Sequence, residues 1–119
     1  MIYKTLVENA PVAMIYLDKE NRIVVWNKKA TELFGYSSEE AVGKPADLII
    51  PERFRAAHNA GYAKAINRSK SKFEGESPMK AKAVRSDGTK VIINVRMSMI
   101  RDENGNAIGM LAIAEKIPE

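Results

Sequence analysis

Two turn signals divide the last third of this chain, and they constrain its fold more than any other feature of the 119 residues. Asp87-Gly88 is a hairpin dipeptide, because glycine enters the left-handed backbone region that a tight connection needs. Asp102-Glu103-Asn104-Gly105-Asn106 is a second cluster of turn formers. The stretches they separate, 79–85, 89–101 and 107–117, read as strands. In the first, Met79, Ala81 and Ala83 fall on one face and Lys80, Lys82 and Val84 on the other. In the second, Val91, Ile93, Val95, Met97 and Met99 share a face, with Asn94, Arg96 and Ser98 opposite. The first set is expected to face the helices and line a cavity between them and the sheet. Two earlier runs, 12–17 and 22–26, flank the polar Asp18-Lys19-Glu20-Asn21 and read as one more antiparallel hairpin.

Helices fill the remainder. Residues 1–9 form a short amphipathic helix with Ile2, Leu6 and Val7 on one side, closed by Asn9-Ala10-Pro11. Asn27 caps a helix that ends at Gly35, and Ser37 with Glu40 is a capping box opening a helix that Gly43 closes. A short apolar piece, Asp47-Leu48-Ile49-Ile50, leads to Pro51, which suits the first position of a helix reaching about residue 67. Strands, then helices, then three strands give an α+β fold, with the helices to one side of an antiparallel sheet.

Composition removes several function classes. The length is that of a single domain. With no cysteine there is no disulfide, thiolate metal site, thiol nucleophile or cysteinyl adduct with a cofactor. The single histidine, His58, excludes multi-histidine zinc sites. No apolar run approaches the roughly 20 residues of a membrane span and no signal-peptide pattern opens the chain, so a cytoplasmic domain without direct membrane contact is expected. The net charge of +4 is spread along the sequence. Its one cluster, Arg68, Lys70 and Lys72, is diluted by Glu74 and Glu76 and lacks interleaved aromatics, so it reads as a solvated loop and nucleic acid is not an expected partner. Glu39-Glu40 is a helix-start feature, no nucleophile–base constellation is legible, and the domain is expected to be non-catalytic.

The helix after Pro51 carries the candidate site. Phe54, Ala57, His58, Gly61, Tyr62 and Ala65 recur at three- and four-residue intervals, so the spacing predicts that this face meets the sheet, with Arg53, Arg55, Asn59 and Lys64 elsewhere. Gly61 inside a helix calls for a packing reason, and room for a flat ligand beside an imidazole is one.

The order of elements and several motifs together resemble a PAS domain. The carrying residues are Glu8-Asn9-Ala10-Pro11-Val12-Ala13, Trp26-Asn27-Lys28-Lys29-Ala30, the stretch from Phe34-Gly35-Tyr36-Ser37 through Gly43-Lys44, Arg85-Ser86-Asp87-Gly88-Thr89 and Arg101-Asp102-Glu103-Asn104-Gly105. The resemblance implies a five-stranded antiparallel sheet with a small-molecule pocket against the helices, divided as a flanking helix over 1–10 and a PAS sensor domain over 11–117. It also implies a sensory input module serving an output domain such as a histidine kinase, cyclase or chemoreceptor. Separately, the apolar side of residues 1–9, on a helix too short to persist alone, is expected to pack on the outer sheet face or on a partner's copy, giving a homodimer. The exit Ala114-Glu115-Lys116-Ile117-Pro118-Glu119 departs from the family's usual joint to that output. Non-covalent flavin stays open, with Asn94 a candidate contact to a heterocycle edge.

The phrase Pro51-Glu52-Arg53-Phe54-Arg55-Ala56-Ala57-His58 resembles the proximal helix of heme-PAS gas sensors. By that resemblance His58 ligates the iron of heme b, Lys64 meets a propionate, Met79 occupies a distal position, Val95 and Met97 are apolar distal residues, and Ala112 is a small residue near the iron. Tyr62 is expected in the core with its hydroxyl at the pocket rim. The alternative is a ligand-free PAS domain that acts in dimerisation and signal relay, where His58 is a hydrogen-bonded packing residue.

Overall fold

The computed structural model describes residues 1–70 and 78–118. The order is helix α1 (Ile2–Glu8), strands β1 (Ala13–Asp18) and β2 (Ile23–Trp26), and helices α2 (Lys28–Phe34) and α3 (Ser38–Ala41). A 3-10 turn at Ala46–Ile49, helix α4 (Glu52–Arg68) and strands β3 (Met79–Val84), β4 (Lys90–Arg101) and β5 (Ala107–Lys116) follow. The five strands form one antiparallel sheet in the order β2-β1-β5-β4-β3, which is the α+β architecture expected. Of the basic cluster, Lys72 lies outside the described residues, as do Glu74 and Glu76.

Period-two alternation puts one face of the sheet into the core. Ala13, Ile15 and Leu17 of β1, Val91, Ile93 and Met99 of β4, and Met110 and Ala114 of β5 are buried there. On β4, Val95 and Met97 are half-buried and Asn94, Arg96 and Ser98 exposed, the register the alternation predicts. Phe34 and Ala30 of α2 and Ala41 of α3 close over this face. Trp26 packs against Phe34 with ring centroids 5.6 Å apart, and its indole N–H is satisfied by Tyr36 O at 3.0 Å and Thr31 Oγ1 at 3.1 Å.

Asn27 holds the first half together. Only 1% exposed, its Oδ1 accepts from Met14 N and Ala30 N, and its Nδ2 donates to Val7 O and Val12 O. One amide thus caps α2, fixes the entry of β1 and holds the end of α1. The other end of α2 is closed by the β3–β4 hairpin: Arg85 Nη1 donates to Leu33 O, Ser86 N to Phe34 O and Ser86 Oγ to Gly35 O. Gly35 sits at φ +86°, and a Cβ there would meet Ser86 Oγ, so glycine is required twice over.

The Ser37–Glu40 capping box is present with both reciprocal bonds. Asp87 Oδ1 accepts from Thr89 N and Oγ1, and Asp102 Oδ1 from Asn104 N and Asn106 N, closing the two late hairpins. Pro51 falls one position earlier than expected. Its ψ of 140° is extended, so it is the N-cap of α4 and Glu52 is the first helical residue. Helix α1 buries none of its side chains: Ile2, Tyr3 and Leu6 are all exposed.

Candidate functional site

Helix α4 meets the rest of the protein through a seam that differs from the one its apolar spacing predicts. Arg55, Asn59, Tyr62 and Ile66, at intervals of four, three and four, are buried or half-buried along with Ala65, so of the predicted face Tyr62 and Ala65 pack inward while Phe54, Ala57, His58 and Gly61 are exposed. Arg55, expected to meet solvent, instead donates from Nε to Ile50 O at 2.9 Å. Asn59, also expected outside, donates from Nδ2 to Asp47 Oδ1 at 2.9 Å and accepts from Asn21 Nδ2 at 2.8 Å. Tyr62 is buried, with its hydroxyl 2.7 Å from Asp18 O and 3.1 Å from Leu17 O. Its hydroxyl therefore ties the helix to the end of β1 and is not free at a rim. Burial, reinforced by Tyr16, Asp18 and Glu20, pushes the Tyr62 phenol far above its ordinary pKa, so it stays a donor.

This seam leaves the helix face with Ala57, Gly61, Lys64 and Arg68 standing off the sheet. A cleft of about 530 Å³ lies between that face and the sheet, where Met97 and Met110 form the opposite wall. His58 and Lys64 line it and are exposed. The imidazole stacks at 18° on Tyr62, centroids 6.4 Å apart, and its Nδ1 lies 3.5 Å from Asn59 Oδ1. A proton on Nδ1 satisfies that carbonyl weakly and leaves the Nε2 lone pair uncommitted. An added Cβ at Gly61 would meet no atom within 4 Å. The expected packing reason for this glycine is thus absent from the described protein, and open cleft lies beside it.

Of the residues the sequence singles out, His58, Tyr62, Lys64 and Met97 come together around the cleft. Met79, Val95 and Ala112 are not among its walls. Met79 pairs with Val95 on the edge hairpin, and Ala112 lies between Ile15 and Met97 in the sheet register. Asn94 is exposed on the other side of the sheet, because its neighbours Ile93 and Val95 take the inner positions, so it cannot touch a ligand in this cleft. Of the β4 residues expected to line a cavity, Met97 lines this cleft and Val91, Ile93, Val95 and Met99 do not; the second thioether on the wall is Met110, which shares the strand parity of Ala112 and Ala114. Arg68 and Lys70, read from sequence as a solvated loop, are wall residues. The 57–61–64–68 spacing carries the signal for Arg68.

The turn after α4 is built firmly. Ser69 adopts a left-handed conformation, φ 53°, uncommon for a residue with a Cβ. Its carbonyl accepts from Arg101 Nη2 at 3.0 Å, and its Oγ accepts from Ala107 N at 2.9 Å. The helix end is thus fixed to the β4–β5 connection.

Comparison with known proteins places this arrangement. The family model described as the PAS fold matches residues 2–117. The oxygen sensor protein DosP of Escherichia coli (strain K12) is 24% identical over 102 residues, covering 86% of this chain and 13% of DosP. The sensor protein FixL of Bradyrhizobium diazoefficiens is 32% identical over 57 residues, covering 48% of this chain and 11% of FixL. The chain therefore spans little more than a tenth of the curated relatives it matches. A solved PAS domain from Colwellia psychrerythraea superposes with a TM-score of 0.81 at 22% identity, over 98% of this chain and 94% of that one. With the sheet order, the helix set and the cleft already in hand, the match over nearly every residue makes this chain a member of the PAS family, a PAS sensory domain.

Proposed function

We propose that this domain is the input module of a signalling protein and takes up a small ligand between α4 and the sheet. The observation that carries the reading is the open cleft beside Gly61, a helix interior glycine that no neighbouring atom requires. Its volume is that of a small-molecule site and its sheet wall is apolar. The domain itself does no chemistry in this reading; the parent's output domain does.

The specific ligand we favour is heme b. An imidazole and two thioethers share one cleft, a donor set that suits heme iron. His58 would hold the iron, Met97 stands on the sheet wall, and Lys64 would meet a propionate. Heme supplies an iron that binds diatomic gases or changes oxidation state. The chain's own residues would orient and cover it: Asn59 and Tyr62, beside the imidazole, would set its plane, and Ala57, Ala65, Met97 and Met110 would meet the apolar body of the ligand. Similarity to a protein named as an oxygen sensor supports gas sensing. Titration with hemin, followed by reduction and carbon monoxide, tests it. A sharp Soret band that carbon monoxide shifts, and that His58→Ala removes while circular dichroism is unchanged, is expected. An unchanged spectrum in His58→Ala would refute ligation by this residue.

A second reading rests on α1. Ile2 and Leu6, about 60% exposed, present apolar surface that no described residue covers, on a helix too short to persist alone. A homodimer formed through α1 would cover it and couple the domain to its partners. Sedimentation of the full chain against a chain lacking residues 1–9 decides: a monomer for both at high micromolar concentration sinks the dimer.

A further inference from the structure

Resting on the ligand-cleft reading above, we infer that the cleft selects a molecule with an apolar body and an anionic end, the end being held by Lys64, Arg68 and Lys70. The walls are sharply divided in chemistry. Met97 and Met110 on the sheet, with Ala57, Gly61 and Ala65 on the helix, offer apolar contact. Every formally charged residue on the walls is a cation, and among the described residues no Asp or Glu lines the cleft. None of Lys64, Arg68 and Lys70 forms an ion pair with a described residue, so these three cations are not neutralised by the described protein.

Their placement is built into the backbone. Lys64 and Arg68 stack at an interval of four on the face that Gly61 opens. A continuing helix would carry residue 70 around the axis, but the left-handed Ser69 turns the chain, and Lys70 lies on the cleft wall. The grip of Arg101 and Ala107 on Ser69 keeps the turn in that form. Cations beside a low-dielectric wall focus their field into the cleft, where an anionic group gains from all three and a neutral one from none. Gly61 lets an apolar body lie against the helix backbone, below the cations.

The test compares two fluorescent probes with one aromatic body. 8-Anilinonaphthalene-1-sulfonate carries an anion, and N-phenyl-1-naphthylamine is the same body without it. The full chain should bind the sulfonate about tenfold more tightly, the sum of three partly exposed pairings. Raising salt from about 50 to about 500 mM should narrow that gap, because exposed charges are screened. Replacing Lys64, Arg68 and Lys70 together with Gln should close the gap and leave the neutral probe's affinity unchanged. Arg68→Gln alone should narrow it two- to threefold, about the share of one cation in three. Gly61→Leu, which fills the cleft where a Cβ meets nothing, should abolish both signals. Equal binding of the two probes by the wild type overturns the anion selectivity while leaving the ligand cleft standing. Binding of neither probe overturns both readings. Binding that survives Gly61→Leu puts the probes elsewhere and overturns the inference.

Discussion

Asn27→Ala should be among the most damaging single substitutions in this domain, and its cost follows from four hydrogen bonds. The side-chain oxygen accepts from Met14 N at 2.9 Å and Ala30 N at 3.1 Å; the side-chain nitrogen donates to Val7 O at 2.8 Å and Val12 O at 3.0 Å. Removing the cap of α2 costs about 1 kcal/mol. Met14 N and Val12 O, part-buried at the start of β1, lose partners at about 1 kcal/mol each. Val7 O, on a half-buried residue, keeps a bond from Ala10 N at 3.3 Å, so it adds little. The expected loss is therefore about 3 kcal/mol, or roughly 10 °C in Tm for a domain of this length. Urea unfolding followed by tryptophan fluorescence reads it directly, because Trp26 is the adjacent residue and is buried. Asn27→Asp is the sharper control. It keeps both acceptor contacts but loses both donors and sets a carboxylate against two carbonyl oxygens, so it should rescue little near neutral pH. A loss under 1 kcal/mol for Asn27→Ala would refute the premise that this amide joins three elements.

Gly61→Ala should stabilise the protein without ligand by about 0.5–1 kcal/mol, since helix propensity improves and the new methyl meets nothing within 4 Å; a loss in thermal unfolding would mean the cleft is closed there. Gly109→Ala should destabilise by about 2 kcal/mol, because its Cβ would overlap the Tyr16 ring and Leu17 O, and an unchanged urea midpoint would refute that packing. The bonds from Ser37 hold the Glu40 carboxyl below its ordinary pKa, so its stabilising contribution is present above the ordinary carboxylate range and lost as pH falls through the lowered value. Glu40→Gln should therefore weaken the acid limb of the stability profile and leave its shape above pH ~6 unchanged, as thermal melts across pH would show.

The features legible in the sequence are those whose causes are local. Asn27, Gly35, the Ser37–Glu40 pair, Asp87-Gly88 and Asp102 act on backbone within a few residues, so helix ends and hairpins came out nearly in place. Strand alternation likewise gave the inner face of β4, because burial on one side is written at every second residue. The packed face of α4 was not legible, since its seam uses polar groups with distant partners. Arg55 and Asn59 look like surface residues until Ile50, Asp47 and Asn21 are brought beside them. Apolar periodicity records hydrophobicity and is blind to such bonds, so it set Phe54, Ala57 and His58 against the sheet, where the structure leaves them exposed; the helix-interior Gly61 was the feature that pointed to open space. Arg68 and Lys70 were discounted for the same reason: charge along the chain says nothing about which charges a turn at Ser69 gathers onto one wall.

The strand order β2-β1-β5-β4-β3 has a consequence for how the chain is made. Strand β1 pairs with β2 at once, but its other edge waits for β5, from Ala13↔Ala114 to Asp18↔Gly109. During synthesis the first hairpin therefore carries an unpaired row of amide and carbonyl groups beside Ile15 and Leu17 until β5 has emerged. Helix α2 waits as well, because the groups that close its carboxyl end, Arg85 and Ser86, are made some fifty positions later. Pairing over such sequence separations slows folding, and open strand edges invite association with other chains. A nascent or truncated chain ending before Ala107 leaves β1 and β4 each without a partner on one side, so self-association of such fragments is the hazard written into this topology.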